Sequence, residues 1–256
     1  MKPPCDTGGG RMSLAGHLEE LRRRVVVCLL AFGSGTAVAF WQKEALFAWV
    51  TRPHAQAMRR AGLAPVLVFL GPADKFLGYF KICLLAGFVL VSPVVLFEMW
   101  RFIASALHPH ERRFIGWALP VSVVLFAGGV VFAWAVALPY GLAFLYGFGG
   151  SDLLQPAVAL GQYLGFAIPL LAISGAVAEL PLVMAFLAAT GVAGAADFAA
   201  WRKPVILGIF IAAAVLTPQP DAVSQCLLAV PMLALYETGI LAARVMAWRR
   251  AGREAV

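Results

Sequence analysis

"LPVSVVLFAGGVVFAWAVALPY", residues 119–140, decides the fold. It contains no charged side chain and meets the ~20 residues that a helix needs to cross a bilayer. A backbone in hydrocarbon must satisfy its own hydrogen bonds, which leaves helix bundles or closed barrels. Barrel strands show short segments of alternating polarity, whereas this block is continuously apolar. "VVVCLLAFGSGTAVAFW", residues 25–41, has the same character. The 256-residue chain is 62% hydrophobic and 13% charged, against about 25% charged residues in a soluble domain. An all-α membrane protein follows.

Six apolar spans are expected, at about 25–41, 76–97, 114–138, 161–188, 204–217 and 223–242. The last two are short, the second is expected to break at Pro93 and the sixth at Pro231. Prolines recur through the spans and tend to kink helices, so the bundle is expected to be tilted, kinked and concave. Basic residues concentrate before span one, after spans two and four, and in the tail. That alternation puts both termini in the cytoplasm. The segment 42–75, outer by this count, dissents with Lys43, Arg52, Arg59, Arg60 and Lys75, and is long enough to hold its own helix. The expected organisation is a disordered tail over 1–12, one domain over 13–242 and a basic tail over 243–256. No cleavage site follows the first apolar run, so it is expected to remain as a span. The net charge of +7 belongs to the positive-inside bias rather than to nucleic-acid binding. Cys5, Cys28, Cys83 and Cys226 show no paired spacing and are expected to fill small spaces.

Four stretches could carry chemistry. In "SLAGHLEELRRR", residues 13–24, Leu14, Leu18, Leu21 and Val25 form one helical stripe. Glu19 and Glu20 lie off it. Local i,i+4 pairing with Arg23 and Arg24 explains these acids as readily as a ligand would. "SPVVLFEMWRFIASALHPHERR", residues 92–113, offers Glu98, Trp100, Arg101, Phe102, His108, His110, Glu111, Arg112 and Arg113. A metal site there is disfavoured, since of the remaining histidines His54 falls on the opposite side. Glu179 is a carboxylate inside an apolar span, where charge is costly; a functional role is favoured over that of a protonated or hydrogen-bonded structural Glu. "TPQPDAVSQCLLAVPMLALYETG", residues 217–239, holds Asp221, Gln225 and, near the span's end, Glu237. Pro53, Pro93 and Pro218 are expected to act structurally. No Ser/His, paired-Asp or HExxH set lies within a span, and no phosphate-binding loop occurs, so an enzyme is not expected. A proton-coupled transporter of small solutes, with Glu179 as relay, is the competing reading. The lack of other charges near the membrane centre and of an internal repeat weighs against it.

"HLEELRRR", the 92–113 stretch, "FAGGVVFAWAVALP", "AELP" and "LTPQPDAVSQCLLAVPMLALYE" together resemble the signature stretches of the TatC family. The likeness runs from about Ser13 to Glu237. Departures are a "TPQPD" turn one residue longer than usual, Ala178 at a position that is usually aromatic, and Trp134 where Tyr is common. The resemblance implies the membrane receptor of twin-arginine protein translocation, in the bacterial cytoplasmic (inner) membrane. It implies that Glu20 and Glu111 bind the arginine pair of a signal peptide. Trp100 and Phe102 would form an apolar edge, and Arg22 would orient Glu20 or pair with other loop acids. Glu179 and Gln225 would face a groove for single-span subunits of the TatA and TatB type. An oligomeric complex, drive by the protonmotive force and no cofactor are implied with them.

Overall fold

A computed structural model describes residues 14–105, 113–147, 157–216 and 222–254. Apart from a two-residue β pair, its regular elements are helical. They are α1 (Leu14–Trp41), α2 (Lys43–Arg60), α3 (Asp74–Ser105), α4 (Arg113–Phe132), a π-helical turn (Ala133–Ala137), α5 (Leu138–Gly147), α6 (Leu160–Ala178), α7 (Leu180–Thr190), α8 (Ala195–Ala200), α9 (Arg202–Leu216) and α10 (Ala222–Glu254). Among the described residues, five segments are long and apolar enough to cross a membrane: Leu18–Trp41, Asp74–Ala104, Gly116–Gly147, Leu160–Thr190 and Gln225–Trp248. Helix α9 has 15 residues, about 22 Å at ~1.5 Å per residue, shorter than a ~30 Å hydrocarbon core.

The helix N-terminal to the first span is continuous with it, so α1 carries both the charged stretch and the apolar run. Leu18, Leu21 and Val25 are exposed, so their stripe faces out of the bundle. The breaks expected at Pro93 and Pro231 are absent, and α3 and α10 pass both prolines as unbroken helices. A proline deletes only one backbone donor, and the surrounding ladder can hold the helix together. The real interruption is at Glu179, between α6 and α7. Pro181 lacks the N–H that would reach back to Val177. The chain turns there, with Glu179 N donating to Ala176 O at 3.2 Å. Helix α10 also runs beyond residue 242 to Glu254.

Helix α6 forms much of the centre. Leu164, Ala167, Leu170 and Leu171 are buried there against Val50 and Ala57 of α2, Ile82 of α3 and Phe126 and Val130 of α4. Helix α1 packs along α3, α4 along α6, and α7 along α10. Strands β1 (Leu67–Val68) and β2 (Val158–Ala159) form a parallel pair, Leu67 opposite Val158. Segment 42–75 holds α2, with Pro53 buried within it. Its cations are accommodated partly by aromatic faces: Lys43 lies over Phe40, Arg52 over Trp134 and Arg60 over Tyr140 at 4.6 Å. Cys83 is buried, Cys28 half-buried and Cys226 exposed, so Cys226 does not fill the core.

Small residues set the α1–α3 distance, as is usual between helices in membranes. A Cβ on Gly87 would stand 2.7 Å from Thr36 N and 2.8 Å from Thr36 Cα. Those are backbone atoms, so one helix must move to admit it. Gly87→Ala is therefore expected to destabilise the fold by roughly 1–3 kcal/mol. Thermal unfolding of the purified chain in detergent measures this, and an unchanged midpoint would show that α1 and α3 can part there without cost.

Candidate functional site

Polar clusters interrupt the apolar packing. The first joins α1 to α3. Arg24 Nη1 donates to Glu98 Oε2 at 2.8 Å, and Nη2 bonds Glu20 Oε1. One guanidinium thus bridges two carboxylates. The Arg24 and Glu98 side chains are each 12% exposed and that of Glu20 is 19%, so water screens this cluster less than an ordinary surface pair. The i,i+4 spacing on α1 explains Glu20–Arg24, whereas Glu98 lies 74 positions away and arrives by helix packing. Arg22, expected to orient Glu20 or to pair with other loop acids, is exposed. Arg24 of the same helix bonds Glu20.

The second cluster lies between α3, α4 and the α6–α7 break. Ser122 Oγ donates to Glu179 Oε2 at 2.7 Å, and Trp100 Nε1 donates to Ser122 Oγ at 3.2 Å. All three residues are buried. Glu179 Oε1 is buried with no hydrogen-bond partner among the described residues. Trp100, implied by the resemblance to form an apolar edge with Phe102, lies in the interior. It is 1% exposed and stacks edge-on against Phe186, with ring centroids 5.4 Å apart. An indole is large and apolar but carries one donor, and here that donor finds a buried hydroxyl. Phe102 is half-buried. Ser122 escapes a reading of the sequence because a lone hydroxyl in an apolar run usually returns to its own helix.

Gln225 Nε2 donates to Phe210 O at 2.8 Å, tying α10 to α9. Glu237 accepts two bonds from Arg202, at 2.9 and 2.8 Å. Both partners are about half exposed, so the pair contributes little stability and its main effect is to orient α9 against α10. Pro93 is exposed on α3. Glu111, with His108, His110 and Arg112, and likewise Asp221 and Pro218, lie outside the described residues.

A third polar group was not singled out by its spacing. His54 of α2 is 1% exposed, and its Nδ1 lies 3.0 Å from Tyr146 Oη. Tyr163 Oη donates to Val50 O at 2.6 Å beside it. Burial holds the His54 pKa below its ordinary 6.5, with the backbone of Val66 opposing in part. His54 thus stays neutral near pH 7 and helps to fasten α2 onto the ends of α5 and α6.

This arrangement of membrane helices has counterparts among known proteins. Residues 16–231 match the family model "TatC: Sec-independent protein translocase protein (TatC)". The chain belongs to the TatC family. The TatC of Desulforapulum autotrophicum is 39% identical over 229 residues, covering 90% of this chain and 83% of that protein. The TatC of Carboxydothermus hydrogenoformans is 36% identical, covering 91% and 93%. A crystal structure of the twin-arginine translocase receptor TatC superimposes with a TM-score of 0.80 at 34% identity, covering 90% of this chain and 99% of that one. As a TatC-family chain, this is a multi-pass membrane component of a protein translocase and not an enzyme.

Removing the Ser122 hydroxyl strips Glu179 of its donor and Trp100 of its acceptor. Ser122→Ala is expected to cost about 1–3 kcal/mol of stability, read from chemical unfolding in detergent, and a wild-type curve would show that these bonds carry no net weight. For His54 the folded state binds its proton less readily than the unfolded chain. Its contribution is therefore complete above about pH 6.5 and is lost as pH falls. A nuclear magnetic resonance titration of the ring should give a midpoint below 6.5, and one at or above that value would contradict its burial.

Proposed function

We propose that this TatC-family chain binds twin-arginine signal peptides through Glu20 and Glu111 and thereby nucleates a complex that moves folded proteins across the membrane. The observation that carries this reading is the Glu20–Arg24–Glu98 bridge. It draws the start of α1 onto the end of α3, whose chain runs on towards Glu111. Two acids on separate elements can hold two arginines at once. Carboxylates suit guanidinium because its planar fork accepts bidentate pairing, which the compact ammonium of lysine lacks. The half-buried Phe102 beside this region supplies apolar contact.

The second cluster serves partner subunits. Glu179 has one oxygen committed to Ser122 and one without a partner among the described residues. That oxygen suits a hydrogen-bond donor on the single span of a TatA- or TatB-type subunit, with the amide of Gln225 as a second polar contact. On this reading α9 and α10 are the fifth and sixth spans of a tilted, concave bundle. The protein sits in the bacterial inner membrane with both termini in the cytoplasm, acts in an oligomer and uses the protonmotive force.

Photocrosslinking of a signal peptide to the chain in membranes tests the site. Glu20→Ala and Glu111→Ala should each reduce Arg-Arg peptide crosslinking about tenfold or more, in line with loss of a charged hydrogen bond. A Lys-Lys peptide should crosslink weakly to wild type. Normal crosslinking by both variants would refute the assignment.

A further inference from the structure

The Glu20 carboxylate, the group proposed to receive an arginine, already holds one. Arg24 Nη2 sits on Glu20 Oε1, while its Nη1 donates to Glu98 Oε2 at 2.8 Å. The bridging side chains are largely enclosed, so this is a seated ion triad rather than a passing surface contact. Arg22 and Arg23, the neighbouring cations on α1, are exposed. Arg24 therefore presents to Glu20 the same functional group that a signal peptide would bring.

We propose that Arg24 is a built-in occupant of the Glu20 carboxylate, displaced by an incoming signal-peptide arginine, and that Glu98 is the seat on which Arg24 remains when displaced. The proposal rests on the reading of Glu20 as a peptide-binding acid. Two guanidinium groups cannot share one carboxylate edge in good geometry, and their like charges repel at close range. The exchange is feasible because Arg24 has a second anchor. A guanidinium expelled into a largely enclosed site without a partner would be costly, and Glu98 removes that cost. The triad also sets the local charge. With Arg24 present the two acids and one base leave a single negative charge, and without Arg24 they leave two. Weakly basic or singly charged segments then meet an acid that already holds a guanidinium on one oxygen, while an arginine pair that also engages a second acid can win the exchange. Arg24 and Glu98 thus set the threshold for recognition rather than making the primary contact.

The test is equilibrium binding of a fluorescent Arg-Arg signal peptide, with a Lys-Lys peptide in parallel, to the full chain in lipid nanodiscs. Arg24→Gln should tighten Arg-Arg binding about three- to tenfold, equivalent to about 0.7–1.4 kcal/mol, and should raise Lys-Lys binding by at least as much. Glu98→Gln should weaken Arg-Arg binding by a similar factor, because Arg24 then has only Glu20. In an Arg24→Gln background the Glu98→Gln effect should vanish or reverse, since Glu98 acts through Arg24. The double variant leaves no unpaired charge between Arg24 and Glu98, so it remains informative should Arg24→Gln alone unfold. Unchanged or weaker Arg-Arg binding by both Arg24→Gln and the double variant overturns the proposal. Glu20→Gln separates the two readings. If Glu20→Gln binds as wild type does, the binding assignment itself fails. If Glu20→Gln loses binding while Arg24→Gln leaves it unchanged, only the displacement proposal fails.

Discussion

Hydrocarbon offers no water to a polar group, and the molecule is arranged around that constraint. It makes every long apolar segment a helix. It also disciplines the side chains. Ser34 and Ser92 return their hydroxyls to carbonyls one turn back, and Thr51 does the same. Groups that cannot be satisfied locally reach across: Trp134 Nε1 donates to Trp49 O and Tyr163 Oη to Val50 O. The acids follow the same rule only in part, since Glu179 Oε1 has no hydrogen-bond partner among the described residues. Glu20 and Glu98 share a guanidinium, and Glu179 takes a hydroxyl from the facing helix.

How far the sequence discloses this depends on where each partner comes from. Residues 119–140 are legible because length and composition alone demand a spanning helix. The Glu20–Arg24 contact is legible because the spacing of four is a property of one helix. Glu98 joins them only through the packing of α1 on α3, which no local pattern encodes. Trp100 sits beside a charged stretch in the sequence, yet its indole packs edge-on against Phe186 and donates to Ser122. The breaks assigned to Pro93 and Pro231 misjudge the same issue from the other side. Whether a proline interrupts a helix depends on the neighbours that support the ladder, and the break that forms is at Glu179, next to Pro181.

Helix α3 connects the two polar clusters. It contributes Glu98 to one and Trp100 to the other, and these residues are two positions apart. Glu98 points to α1 and Trp100 to α4. A displacement of this end of α3 would therefore strain the ion triad and the buried hydrogen-bonded chain together. The close approach of Gly87 to Thr36 on the same helix pair limits how far such a displacement can go.

The π-helical turn at Ala133–Ala137 has its own consequence for this architecture. A π turn accommodates one more residue than an α turn, and one residue corresponds to about 100° of rotation. The face presented by the chain before Ala133 is therefore out of phase with the face after Ala137. Before the turn, α4 lies against α6 and α3, and after it α5 lies against α2 and α10. A single span thereby acts as a two-sided hinge pin, serving one set of neighbours with its first half and a different set with its second. Deleting one residue from the turn would realign the two faces and force one set of neighbours to give way.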